Sequence, residues 1–174
     1  MGGGPTVSHA AAGCARQSAD APRQRGNIGV ACGVVDAAPL QGWVLLAEDD
    51  GALRFLLGSV LRKDGHRVLE VPDGEQLVLA HAALPPGREG RTVVLSDLSM
   101  PVRNGLSAVE EILGREPGLG VIQMGAFLEP DDAPKAAALG AAFLTKPFEL
   151  TAMRELVRRL METPGRTARE LISA

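Results

Sequence analysis

The chain has 174 residues, 45% of them apolar, with 18 basic against 21 acidic side chains, a net charge of -3 and a pI near 5.6. That is room for one domain of ordinary size plus extra segments, and the charge balance gives no basic field for non-specific nucleic-acid binding. No apolar run reaches the roughly 20 residues of a membrane span, and the two cysteines, Cys14 and Cys32, form neither a CxxC nor a Cys/His spacing suited to zinc.

Residues 1–41 are rich in Gly, Ala, Pro and Arg and show neither helical nor alternating apolar periodicity, so a disordered or low-complexity extension is expected. Arg16, Arg23 and Arg25 before Ile28–Val35 faintly resemble the charged and apolar regions of a signal peptide. That run is short, glycine-broken and far from the start. A flexible extension, or an upstream start codon wrongly chosen, fits it better.

The folded domain is expected over 42–161, its first strand opening at Trp43. Val44-Leu45-Leu46-Ala47 reads as a buried strand that ends in the acidic run Glu48-Asp49-Asp50. Leu53, Leu56, Leu57, Val60 and Leu61 then recur at helical spacing, and Gly65 stops that helix. Arg67 to Val71 is the second strand, Pro72-Asp73-Gly74 a turn, and Glu75 to Ala83 a helix with Leu77, Val78 and Ala82 inward. After a loop holding Pro85-Pro86-Gly87, the third strand runs through Thr92-Val93-Val94-Leu95-Ser96 to Asp97, and Pro101 soon stops it. A turn through Gly105 leads into the helix Leu106 to Arg115, with Val109, Ile112 and Leu113 on one face. Val121 to Met124 is a fourth strand, Asp131 to Leu139 an alanine-rich helix, and Phe143-Leu144-Thr145 a fifth strand broken by Lys146-Pro147. The last helix, Leu150 to Met161, puts Met153, Leu156, Val157 and Leu160 on its buried side.

Five strand-then-helix units predict a doubly wound five-stranded parallel α/β sheet, because parallel strands need crossovers and those crossovers are right-handed. All strand tips then point one way. Glu48 and Asp49 follow the first strand, Asp97 ends the third, and Lys146 follows the fifth. In the order 2-1-3-4-5 the first and third strands are neighbours at the topological switch point, where their carboxylates converge. Crowded carboxylates repel, and oxygen ligands without His or Cys favour Mg²⁺ as the cation between them. With the Lys146 ammonium opposite, the pocket suits an anionic phosphoryl group and leaves the Asp97 carboxylate as nucleophile.

Val44-Leu45-Leu46-Ala47-Glu48-Asp49-Asp50, Leu95-Ser96-Asp97-Leu98-Ser99-Met100-Pro101 with Asn104-Gly105, and Phe143-Leu144-Thr145-Lys146-Pro147-Phe148 together resemble a response-regulator receiver domain of two-component systems, of the single-domain chemotaxis-regulator kind. The resemblance covers about 43–161 and implies the flavodoxin-like receiver fold. It implies that Asp97 accepts a phosphoryl group from a sensor histidine kinase or histidine phosphotransfer protein, and that Mg²⁺ is the cofactor. Asp49 would bind the metal directly, Glu48 would help through water, and Asp97 and the Ser99 backbone carbonyl would complete the set. Lys146 would contact the phosphoryl group, and the bond before Pro147 is commonly cis in this family. A cytoplasmic signalling domain is implied, with at most self-catalysed phosphotransfer and autodephosphorylation.

One position departs from the family. Where receivers carry Ser or Thr at the tip of the fourth strand, this chain has Gly125, followed by Ala126. In the family that hydroxyl contacts the phosphoryl group and moves with an aromatic on the fifth strand, here Phe143. Gly125 has no side chain to move, so the usual conformational readout is expected to weaken or to pass to the backbone. Ser99 and Phe127 occupy the positions that tune the lifetime of the acyl phosphate, and a bulky Phe127 favours a longer one.

The face formed by the fourth helix, fifth strand and last helix is the usual output surface, for a downstream protein or a homodimer. Arg154, Arg158 and Arg159 lie on that last helix, where a solvated face outweighs a specific partner site. Glu162 to Ala174 is too short a tail for a DNA-binding output domain, so a single-domain regulator without direct nucleic-acid or membrane contact is expected. Two competing classes remain. One is a degenerate receiver serving as a phosphorylation-independent interaction module. The other is a haloacid-dehalogenase-type phosphatase, which needs a second Asp two residues after the nucleophile, where this chain has Ser99. Neither G-x-x-x-x-G-K-[ST] nor G-x-G-x-x-G follows a strand.

Overall fold

A computed structural model describes residues 42–86, 91–126, 133–163 and 165. The expected extension over 1–41 with its two cysteines, Phe127 and most of the tail lie outside the described residues. The strands β1 (Trp43–Ala47), β2 (Arg67–Val71), β3 (Thr92–Asp97), β4 (Gly120–Gly125) and β5 (Ala142–Thr145) pair in parallel in the order β2-β1-β3-β4-β5. The helices are α1 (Gly51–Lys63), α2 (Gly74–Ala82), α3 (Gly105–Arg115), α4 (Ala133–Ala138) and α5 (Leu150–Glu162). The doubly wound fold read from the sequence is the one observed. Among the described residues no helix is long and apolar enough to cross a membrane.

The central strands are mostly apolar, interrupted by the buried Ser96 and Gln123, because both faces of the sheet are covered. On one face Leu57 and Leu61 of α1 and Met153, Val157 and Leu160 of α5 pack on Val44, Leu46, Val93, Leu95, Ile122 and Met124. On the other, Leu77 and Val78 of α2 and Ala108, Val109 and Ile112 of α3 pack on Leu45, Val94 and Val121. Each large apolar side chain buried this way stabilises the fold by about 1.5–3 kcal/mol. That packing holds the strand tips in fixed register, which any site built across them requires.

Three helices start on side-chain caps that sit directly after strand tips or tight turns. Asp50 accepts from the Ala52 and Leu53 amides at 2.8 and 2.9 Å, Asp73 from the Gln76 amide at 2.8 Å, and Asn104 from the Ser107 amide at 2.8 Å. These bonds satisfy N–H groups that the first helical turn leaves open.

Two inward assignments are corrected. Leu56 is 47% exposed, beside Phe55 at 70%, because the inner stripe of α1 is set by Leu53, Leu57 and Leu61 with Val60 at its edge. Ala82 is exposed at the end of α2. The side chain that turns in there is His81, whose Nε2 lies 2.9 Å from a Glu116 carboxylate oxygen at the end of α3.

Candidate functional site

The pairing of Ala47 with Ser96 puts the residues after β1 level with the last residue of β3. Glu48, Asp49 and Asp97 each present a carboxylate oxygen to a common point, and these oxygens lie within 4.8 Å of one another. Glu48 and Asp97 are buried, while Asp49 faces solvent. From the far side of the sheet Lys146, directly after β5, sends Nζ to within 2.7 Å of Glu48 Oε2 and 3.0 Å of Asp97 Oδ2. All four charges expected from strand-tip positions therefore meet. The third acidic residue of the first run does not join them, since Asp50 is spent on capping α1.

Electrostatics in this pocket are strained by burial. Loss of solvent, helped by the neighbouring Asp97 charge, raises the Glu48 pKa, although Lys146 pulls it back. Burial is also the largest single influence on Lys146 and lowers its pKa. The hydrogen bonds and charges of Glu48 and Asp97 together outweigh it, so the ammonium is held charged. One ammonium against three carboxylates leaves the cluster short of positive charge.

The segment after Asp97 is fixed by backbone bonds. Leu98 N–H donates to the Met124 carbonyl at 2.8 Å, and Gly105 N–H donates to the Leu98 carbonyl at 3.1 Å. Between them the exposed Ser99 leads to Val102, whose φ of 65° is unusual for a β-branched residue. The Lys146–Pro147 peptide is cis.

Gly125 closes β4 opposite Thr145. A Cβ there would stand 3.1 Å from Leu98 Cδ1, so the side chain following Asp97 occupies the space beside the glycine. Leu98 belongs to a small apolar cluster with Leu106 and Ala136 of α4, against which Leu139 and Phe143 pack. Asp97 is thus continuous with the α4–β5 side of the fold through Leu98 rather than through a residue at position 125. Sequence periodicity gave no hint of this, because Leu98 lies in a loop and meets Gly125 only through the β3–β4 register.

The donor set suits a hard divalent cation. It offers three carboxylate oxygens and, among the described residues, no His or Cys ligand, with one ammonium against three carboxylates. Residues 44–158 match the family described as the response regulator receiver domain.

The chain belongs to that family. This receiver is similar to the response regulator protein FleR of Pseudomonas aeruginosa, with 41% identity over 126 residues that make up 70% of the chain and 25% of FleR. It is also similar to protein CcdB of Bacillus subtilis, 33% identical over 120 residues covering 68% of this chain and 96% of that protein. Thus it spans about a quarter of FleR but nearly all of CcdB. Among solved structures, the non-phosphorylated HemR receiver domain from Leptospira biflexa aligns with a TM-score of 0.60 at 27% identity, covering 70% of this chain and 95% of that one. Chemotaxis protein CheY4 of Vibrio cholerae aligns with a TM-score of 0.60 at 21% identity over 69% of this chain and 98% of its own, which speaks for the shared fold alone. The receiver is a two-component signalling module; receiver domains bind Mg²⁺ at acidic residues, and this chain brings Glu48, Asp49 and Asp97 together.

Proposed function

We propose that this receiver takes a phosphoryl group onto the Asp97 carboxylate from the phosphohistidine of a sensor histidine kinase or phosphotransfer protein. The observation that carries this reading is the convergence of buried Asp97 with Lys146 at 3.0 Å and with the carboxylates of Glu48 and Asp49. An Asp97 carboxylate oxygen attacks phosphorus, the P–N bond to the donor imidazole breaks, and the bonding pair leaves with that nitrogen. Lys146 orients the carboxylate beforehand and faces the phosphoryl oxygens that arrive beside it. Glu48, Asp49, Asp97 and the Ser99 carbonyl would hold Mg²⁺, which supplies charge neutralisation for those oxygens when bound.

Signalling would pass by protein contact in the cytoplasm, through the face formed by α4, β5 and α5. That face is less cationic than its sequence suggests. Arg154 is bonded to Asp64 beyond α1, while Arg158 and Arg159 are taken by Glu155, and Arg158 also by Glu162. The two arginines hold the Glu155 carboxyl down at about 2. Exposed pairs of this kind add little stability. Their consequence is a face that presents paired charge, which favours shape and apolar contact in partner choice. From the bulk of the residue at position 127 in the sequence a longer-lived acyl phosphate is expected, and rapid loss of the adduct would refute it.

A second reading follows from Gly125. With no hydroxyl there and Leu98 in the adjoining space, the chain would serve as an interaction module whose surface does not depend on phosphorylation. Intact-protein mass spectrometry after incubation with a small phosphodonor separates the two. The expected result is one added phosphoryl group that requires Mg²⁺ and disappears in Asp97→Asn. Mg²⁺ binding without any adduct would sink the first reading in favour of the second. If the adduct forms, amide spectra should show smaller shifts over 125–148 than an otherwise similar Gly125→Thr variant gives.

A further inference from the structure

The carboxylates of Glu48 and Asp49 point into the acidic cluster, and their backbone carbonyls are engaged elsewhere. Both are taken by one side chain. Arg54, on the first turn of α1, donates from Nη1 to the Glu48 carbonyl and, at 3.4 Å, to the Asp49 carbonyl. Its own amide donates to the Asp50 carbonyl at 2.9 Å, and Asp50 caps the same helix. The Asp50 amide in turn lies 3.4 Å from Glu48 Oε1. Strand tip, acidic loop and helix start are therefore tied into one unit, with the Arg54 guanidinium on the carbonyls and the carboxylates left for the cluster.

We infer that Arg54 is a positioning residue for the metal site. This rests on reading Glu48, Asp49 and Asp97 as Mg²⁺ ligands. Small hard cations demand near-ideal octahedral oxygen geometry, so a loop that wanders loses affinity. Three mutually repelling carboxylates give that loop a reason to wander. Charge-assisted bonds to both carbonyls counter it by fixing the peptide planes from which the two carboxylates hang.

Two effects of Arg54 on a divalent cation oppose each other. Preorganisation of the ligands favours binding, whereas a positive charge close to the site disfavours it. Part of that charge is offset by the Asp50 carboxylate, which caps the same helix through the Ala52 and Leu53 amides. The guanidinium also bonds carbonyls, not carboxylates, so it does not occupy the cation's place. Preorganisation is the larger effect. The sign of the change on removing Arg54 decides between them.

The test is calorimetric titration of the full chain with MgCl₂, comparing wild type, Arg54→Met, Arg54→Lys and Arg62→Met. Methionine keeps much of the apolar stem and removes the donors. Arg54→Met should weaken Mg²⁺ about 10-fold, the lower end of what outer-sphere partners of metal ligands contribute. Arg54→Lys should recover part of that loss, since an ammonium can still donate to a carbonyl. Arg62→Met removes an exposed arginine of the same helix that pairs with Glu70 and should leave the affinity unchanged. At saturating Mg²⁺, the phosphorylation rate of Arg54→Met should approach that of wild type, since saturation fills a site whose affinity alone has fallen. Unchanged or tighter Mg²⁺ binding in Arg54→Met, against a wild type that binds, would overturn the inference alone. A weakening that Arg62→Met reproduces would overturn it too, by showing that loss of any arginine of α1, and not of the Arg54 carbonyl bonds, is the cause. Absence of Mg²⁺ binding in wild type would overturn the metal reading and this inference with it.

Discussion

Lys146→Met should lower the stability of the metal-free chain by about 2–3 kcal/mol at neutral pH and slow adduct formation on Asp97 on the order of 10²-fold. Among the described residues the Lys146 ammonium is the one cation bonded to both Glu48 and Asp97, and neither carboxylate has much access to water. Removing one partner of a buried pair leaves an uncompensated charge, which costs more than the pair itself contributes. The figure lies below the roughly 3–5 kcal/mol of a fully buried pair because solvent reaches 22% of the Lys146 side chain. Two controls identify the cause. Added Mg²⁺ should restore stability by mass action, since it binds the folded state and supplies the missing positive charge. Coupling Lys146→Met to Glu48→Gln should recover most of the loss without metal. An unchanged urea midpoint in Lys146→Met with divalent ions chelated would show that the ammonium does not compensate these carboxylates.

Gly105→Ala is expected to be still more damaging, at about 3 kcal/mol or more, with the acceptor carboxylate displaced. A Cβ on Gly105 would stand 1.9 Å from the Asp97 carbonyl oxygen and 2.5 Å from Ser96 Oγ. The Asp97 carbonyl is backbone of the central strand, so no side-chain rotation can relieve that clash. Either α3 must lift off the sheet, breaking the Gly105–Leu98 backbone bond, or the tip of β3 must move and take Asp97 with it. The gain in helix propensity from Gly to Ala, about 1 kcal/mol at most, cannot offset this. Gly114 in the same helix is the contrast, because a Cβ there meets nothing within 4 Å. Gly114→Ala should leave the chain as stable as wild type or stabilise it by about 0.5–1 kcal/mol. Thermal denaturation of the two variants side by side checks the pair, and equal midpoints would refute the steric account.

Much of the receiver was legible one segment at a time. The alternation of short apolar runs with helical stripes gave the element order, and the charged residues after the first, third and fifth strands gave the cluster. Boundaries moved by a residue or two, as at Gly120–Gly125, where glycine carries no periodic signal yet pairs in the sheet. Some errors were of face. Leu56 and Ala82 belong to the apolar pattern but lie outside the stripe that the sheet covers. Partners were not legible either: Asp50 caps α1, and Arg154, read as part of a solvated face, pairs with Asp64. Each meets a group that the linear order does not place beside it, or places there only once a helix begins.

By itself, the sequence determined what local physics controls: where strands and helices form, where they stop, and which charges stand at strand tips. Glu48, Asp49, Asp97 and Lys146 were accessible to that reasoning because parallel topology sends all tips to one edge of the sheet. Only the tertiary structure decided that Lys146 bridges Glu48 and Asp97, that Leu98 fills the space beside Gly125, and that Arg54 holds the carbonyls of the acidic loop. Those contacts depend on strand register and side-chain direction, which are fixed by packing over the whole sheet and leave no periodic trace along the chain.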